Sequence, residues 1–109
     1  MTGNEILKEA AFLMGFETPS EEMNNIGLTV INFVLEDLNN AGITRLDDEV
    51  TLSDSLKAAL TAGTSMLLSV AIGDLRAKEC FSVIYNEKRN KVKRAKGVVI
   101  DSLPKGEQL

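Results

Sequence analysis

A chain of 109 residues with 44% hydrophobic content has room for one core and no second lobe, and its composition excludes a disordered polymer. One cysteine and no histidine exclude an intramolecular disulfide and remove the side chain most used as a general acid, general base or metal ligand near neutral pH. The net charge of −4 hides a sorting, because residues 1–56 carry two cations and eleven anions while residues 57–109 carry ten cations and five anions, a segregation that points to charged partners or to further copies of the chain.

Aromatic residues are limited to Phe12, Phe16, Phe33, Phe81 and Tyr85. Leu, Ile, Val, Met and Ala must therefore fill the core, a mixture that favours helices. The first helix is predicted to start at Thr2, with Glu5 completing a capping box, and to show an apolar face of Ile6, Leu7, Ala10, Ala11, Leu13 and Met14 before Gly15 stops it. The second opens at Thr18-Pro19-Ser20-Glu21, read as a capping box with proline in the first turn. It runs through Met23, Ile26, Val30, Ile31, Val34, Leu35 and Leu38, and Gly42 suits its left-handed exit.

Residues 43–52 lack a helical period and hold the acidic triplet Asp47, Asp48, Glu49, so they are predicted to form the main loop, with a short extended piece. Thr51 or Ser53 introduces a third helix carrying Leu56, Leu60, Leu67 and Val70 on one face with Ala59, Ala62 and Met66 alongside. Its small residues, Ala58, Ala59, Ala62, Gly63 and Ser65, would let a neighbour approach closely and suit a central position. The uncharged stretch Ala58 to Gly73 is 16 residues, short of the roughly 20 apolar residues of a membrane span.

Gly73-Asp74 ends that helix and caps a fourth, whose apolar stripe is Ala77, Cys80, Phe81, Ile84 and Tyr85. Only Val92 and Ala95 continue the stripe, so the second half of this helix is expected to have little to bury. Beyond Gly97, the β-prone run Val98, Val99, Ile100 reads as part of a C-terminal arm that pairs or packs against something else. The expected architecture is all-α, a small bundle of about four helices over residues 1–96 with an extended arm over 97–109.

The chemistry-bearing residues are few. The acidic triplet lacks the alternating ligand spacing and glycine of a calcium loop and reads as a solvated loop. Cys80 has no histidine to activate it and is expected to pack in the core, while Met14, Met23 and Met66 read as core filler. A lone cysteine and an N-terminus, TGNEILKE, without a signal-type apolar run suggest a reducing compartment. No catalytic residue, cofactor or metal site is expected.

The basic run Lys88, Arg89, Lys91, Lys93, Arg94 and Lys96 has no acid among its nine positions. It has three readings: cations that complement a helix C-terminus, contacts to nucleic-acid phosphates without aromatic residues to stack on bases, or an electrostatic contact in which the basic half of one copy meets the acidic half of another. A heterologous contact of the last kind, repeated by rotation, closes into a ring. The residues expected to make protein contacts are these six bases, the arm residues Val98, Val99 and Ile100, and the acids Asp47, Asp48 and Glu49.

The order of parts, ILKEAAFLMGF, VINFVLEDLNNAGI, LDDEV, then LSDSLKAALTAGTSMLLSVAIGD followed directly by LRAKECFSVIYNEKR, resembles the small head-to-tail connector (adaptor) proteins of tailed bacteriophages and prophages over residues 4–94. The most suggestive part is the helix pair divided at Gly73-Asp74, the second helix ending in Tyr85, Asn86, Lys88 and Arg89. The resemblance implies a non-enzymatic structural protein, without cofactor or membrane contact. It would form a homo-oligomeric ring beneath the portal, its isolated copies being either monomeric or already assembled, link capsid to a further connector or tail protein, and surround the channel through which DNA passes without sequence-specific contact. Its place would be the virion neck, and the host cytoplasm before assembly. The rival expectation is a small helical nucleic-acid-binding or regulatory protein that uses residues 88–96 on phosphates.

Overall fold

The structure, a computed structural model, describes residues 1–95. They form four helices, α1 (Gly3–Leu13), α2 (Glu21–Asp37), α3 (Asp54–Ala71) and α4 (Leu75–Ala95), with no strand among the described residues. This is the all-α small bundle expected from the sequence. Lys96, Val98, Val99, Ile100 and the rest of the expected arm lie outside the described residues.

Each helix starts where a side chain caps its free amides. Thr2 Oγ1 accepts from Glu5 N and Glu5 Oε1 from Thr2 N, the expected capping box. These hydrogen bonds hold the Glu5 carboxyl below its ordinary pKa, the Thr2 backbone amide first among the causes. Ser53 Oγ caps α3 by accepting from Leu56 N, and Asp74 Oδ1 caps α4 by accepting from Ala77 N. The start of α2 differs from expectation: Ser20 rather than Thr18 is the cap, accepting from Met23 N, so Pro19 precedes the helix instead of occupying its first turn.

Its exit differs too. Asn39 takes the left-handed backbone, φ 57°, and Gly42 instead lies where a Cβ would stand 2.9 Å from Asn32 Oδ1. Asn32 needs that space, because its amide brackets Ile43 by donating to the carbonyl at 2.9 Å and accepting from the N–H at 2.8 Å.

Helix α3 is the shared wall of the molecule. Helices α1 and α2 pack against it and against each other, and α4 packs along α3, reaching α2 only through side chains at Tyr85 and Arg89. Between α1, α2 and α3 lies the core, built from Ile6, Leu7, Met23, Ile31, Leu35, Leu38, Leu60 and Leu68, all fully buried. Each such side chain contributes about 1.5–3 kcal/mol.

The α3 face toward this core is Leu56, Leu60, Thr64 and Leu68, a strict four-residue spacing. Leu67 is half-buried and Val70 exposed, against the expectation that both would face it. Thr64 and Ser69 are tolerated inside because their hydroxyls donate to the carbonyls of Leu60 and Ser65, and Ser65 donates to Ala10 O at 2.9 Å, tying α3 to α1.

Gly63 makes the central position possible. A Cβ there would stand 2.7 Å from Tyr85 Cε1 and 2.8 Å from Val34 Cγ1, so α2 and α4 both close on α3 at this residue. The Gly63→Ala variant should therefore melt at a lower temperature by circular dichroism. The helix-propensity gain of about 1 kcal/mol is outweighed by an overpacking cost of about 1–3 kcal/mol, since neither an aromatic ring nor a β-branched side chain yields easily. An unchanged or higher melting temperature would refute the packing constraint.

Candidate interaction surface

The six bases read from the sequence as one extension are divided by the fold. Arg89 turns inward, its Nε and Nη2 donating to Asp37 Oδ2 and Oδ1 at 2.7 and 3.3 Å, and the Tyr85 hydroxyl one turn earlier donates to the same Oδ2 at 2.5 Å. Val92 is buried and Lys93 is 7% exposed, which corrects the expectation that the second half of α4 has little to bury. Lys88 and Lys91 stand beside Asp54 and Ser55 at the start of α3. Lys91 and Arg94 are exposed.

Asp37, half-exposed on α2, is thus the anchor that ties α4 to the rest of the molecule. Its partial burial raises the carboxyl pKa, but the Arg89 guanidinium and the Tyr85 hydroxyl, helped by the charge of Lys93, outweigh this and hold it below the ordinary carboxylate value. Tyr85 moves the other way: burial first, then its bond to Asp37 and the carboxylate charge, push the phenol above its ordinary value. The hydroxyl therefore stays protonated and donating at any physiological pH.

The acidic triplet is engaged within its own loop and with α1. Asp47 accepts from Asn4 Nδ2 at 2.7 Å, and Asp48 accepts from the amides of Thr44 and Arg45, which lower its carboxyl pKa. Glu49 meets the Met1 amine at 3.0 Å. Backbone bonds from Gly3 N to Asp48 O and Asn4 N to Leu46 O satisfy two free amides of α1, and the expected extended piece reduces to a single bridge between Thr2 and Glu49. Among the described residues no group of three His, Cys, Asp or Glu side chains is placed to hold a metal ion.

Two apolar grooves flank α4. The larger, about 510 Å³, lies between α1, α3 and α4 and is lined by Leu13, Ala58, Ala62, Phe81 and Ile84, with Glu9 and Lys57 at its edge. The smaller, about 320 Å³, lies between α2, α3 and α4 and is lined by Phe33, Val34, Met66, Leu67 and Tyr85, with Asp37. Leu13 and Ile84, expected in the core, are 55% and 44% exposed. Cys80, also expected there, is exposed, because the face of α4 turned to α3 follows Phe81, Tyr85, Lys88 and Val92 and leaves position 80 outside it.

Thr61, on the wall of the larger groove, carries the one buried side-chain polar atom without a hydrogen-bond partner among the described residues. Such a group costs about 1–3 kcal/mol. Among the described residues no helix is long and apolar enough to cross a membrane.

Comparison with protein-family models, curated proteins and solved structures finds no match to this chain. The reading of the site therefore rests on its geometry. Sequence reasoning singled out Tyr85 and Arg89 but missed Asp37, although a signal was there: Val30, Val34 and Asp37 share one flank of α2, so an acid stands on the edge of an apolar face.

Replacing Asp37 tests the anchor. Asp37→Asn should lower stability at pH 7 by about 1 kcal/mol, as expected for a partly exposed ion pair, with faster hydrogen exchange in α4 than in α2. Because the folded-state pKa is depressed, the contribution is present above the unfolded value of about 3.9 and is lost as pH falls through the folded value. The gap in melting temperature between wild type and Asp37→Asn should accordingly close below that range, and a gap that persists there would exclude the ionised carboxylate as its source.

Proposed function

We propose that this protein is a structural assembly module of the phage head-to-tail connector type. In this reading copies of the chain join into a ring beneath the portal, offer a docking site to a further connector or tail protein, and surround the DNA channel. The protein performs no catalysis and takes no cofactor. It acts in the virion neck, after synthesis in the host cytoplasm.

The observation that carries this reading is the one-sided attachment of α4. A helix whose backbone packs closely on α3 only, and which meets α2 through the side chains at Asp37, leaves an apolar groove on each flank, and apolar surface gathered into grooves, unlike isolated exposed residues, marks a site for another protein. The two grooves differ in their lining and lie on different flanks, which suits contacts between unlike surfaces of successive copies. Charge supports the same arrangement, because the outward face of α2 is acidic while Lys88, Lys91 and Arg94 remain on α4. The resemblance in the order of helices supplies the biological setting.

Sedimentation velocity across protein concentration and salt tests the proposal. Assembly should be strongest at about 0.1 M salt and weaken at about 1 M, where the Debye length shrinks from about 10 to about 3 Å. Reversal of Lys88, Lys91 and Arg94 to Glu should weaken it at low salt. Tight, salt-sensitive retention on generic duplex DNA by a monomer or dimer would instead favour a nucleic-acid-binding protein.

A further inference from the structure

Phe33 is a large apolar side chain left out of its own core. The residue is 63% exposed, and it belongs to an outward stripe on α2, Glu22, Asn25, Thr29, Phe33 and Glu36, whose spacing of three and four residues keeps all five on one exposed face. Helix α2 contains no Lys or Arg. The stripe is therefore an aromatic knob in an anionic setting.

On the other flank of α4 is a hollow of the opposite character. The groove of about 510 Å³ offers Leu13, Phe81 and Ile84, and at Ala58 and Asp54 it passes into a second hollow of about 200 Å³ where Lys88 and Lys91 stand. Glu9 at the groove's edge is already paired with Lys57 at 3.7 Å. Asp54 faces two lysines, which leaves a positive excess. Along α4, Lys88 follows Ile84 by about 6 Å, and along α2, Glu36 follows Phe33 by about 4.5 Å.

Knob and hollow thus agree in polarity, sign and spacing when the two helices run in the same direction.

Building on the ring reading, we propose that the Phe33 knob of one copy seats in the Leu13–Phe81–Ile84 groove of the next, with Glu36 against Lys88 and Lys91. The surfaces are unlike and both belong to every copy, so each bound pair still presents one free knob and one free groove. Association of this kind propagates, and it closes only if the rotation between copies allows.

Two single variants at exposed positions, Phe33→Glu and Ile84→Glu, test this by sedimentation velocity under reducing conditions, with helicity and melting temperature confirming that each is folded. Alone, each should lose at least tenfold in association constant. Mixed in equal amounts they should form a one-to-one pair and nothing larger, because Phe33→Glu keeps an intact groove and Ile84→Glu keeps an intact knob. Reversal of Lys88 and Lys91 to Glu should weaken wild-type association, and adding Glu36→Lys should restore part of it.

Assembly of wild-type size in both single variants, or no pair on mixing, would overturn the knob-and-groove contact while leaving a ring built by other surfaces standing. A one-to-one pair on mixing, with the wild type growing into open filaments, would uphold the contact and overturn the ring. A wild-type chain that stays monomeric at millimolar concentration overturns both.

Discussion

The close approach at Gly63 governs the rest of the structure. A helix can take two neighbours at one level only if it is thin where they converge, and α3 achieves this where a Cβ would collide with Val34 of α2 and Tyr85 of α4. Helices α1 and α2 pack on α3 and on each other, and α4 lies along α3 beside α2, which it meets through the side chains of Tyr85 and Arg89 rather than by close backbone packing. The grooves beside α4 follow from that placement. They are what remains when three helices supply most of the core and the fourth adds only Tyr85 and Val92 to it.

The sorted charge has a smaller share in intermolecular work than its abundance along the sequence suggests. Arg89 returns to Asp37, Lys57 to Glu9 and Arg45 to Asp48, and Asp47, Asp48 and Glu49 are taken up by the loop that closes the N-terminal end of α1. Only the first two join the acidic and basic segments, the others lying within the acidic one, and most are exposed, where an ion pair contributes about 1 kcal/mol or less. What stays outward is the acidic face of α2 and, on α4, Lys91 and Arg94, with Lys88 half-buried beside the start of α3. Charges so placed steer encounter and fix register more than they supply affinity, so the apolar surface at Phe33, Leu13, Phe81 and Ile84 has to carry the energy of any association.

Much of the fold was legible because its signals are local. Thr2, Ser53 and Asp74 cap helices by bonds to amides three residues on, and Gly15 and Gly73 stand at positive φ where helices end, all readable without tertiary knowledge. The misreadings arise where tertiary structure overrides a local cue. Thr64 and Ser65 look polar and conceal the true core face of α3, because carbonyls of Leu60 and Ala10 accept their hydroxyls. Leu13, Cys80 and Ile84 follow an apolar period yet stay outside, because periodicity marks a face and not the presence of a helix to cover it. Arg89 was legible as a base, but its partner is 52 residues away, and no spacing rule reaches across that distance.

The anchor at Asp37 matters beyond the stability it confers. A helix held only by its packing on α3 could rock about the turn Ile72–Asp74, and both grooves would change width as it moved, since Phe81, Ile84 and Tyr85 of α4 line them. The fork from Arg89 and the bond from Tyr85, one turn apart, meet a single carboxylate on α2 and so fix α4 in translation and rotation at once. Unlike surfaces that join copy to copy yield a closed ring only when every copy turns by the same angle; a variable angle yields open chains. The constancy of that angle would therefore depend on a buried tyrosine, an arginine and the aspartate they share, none of which needs to touch a neighbouring subunit.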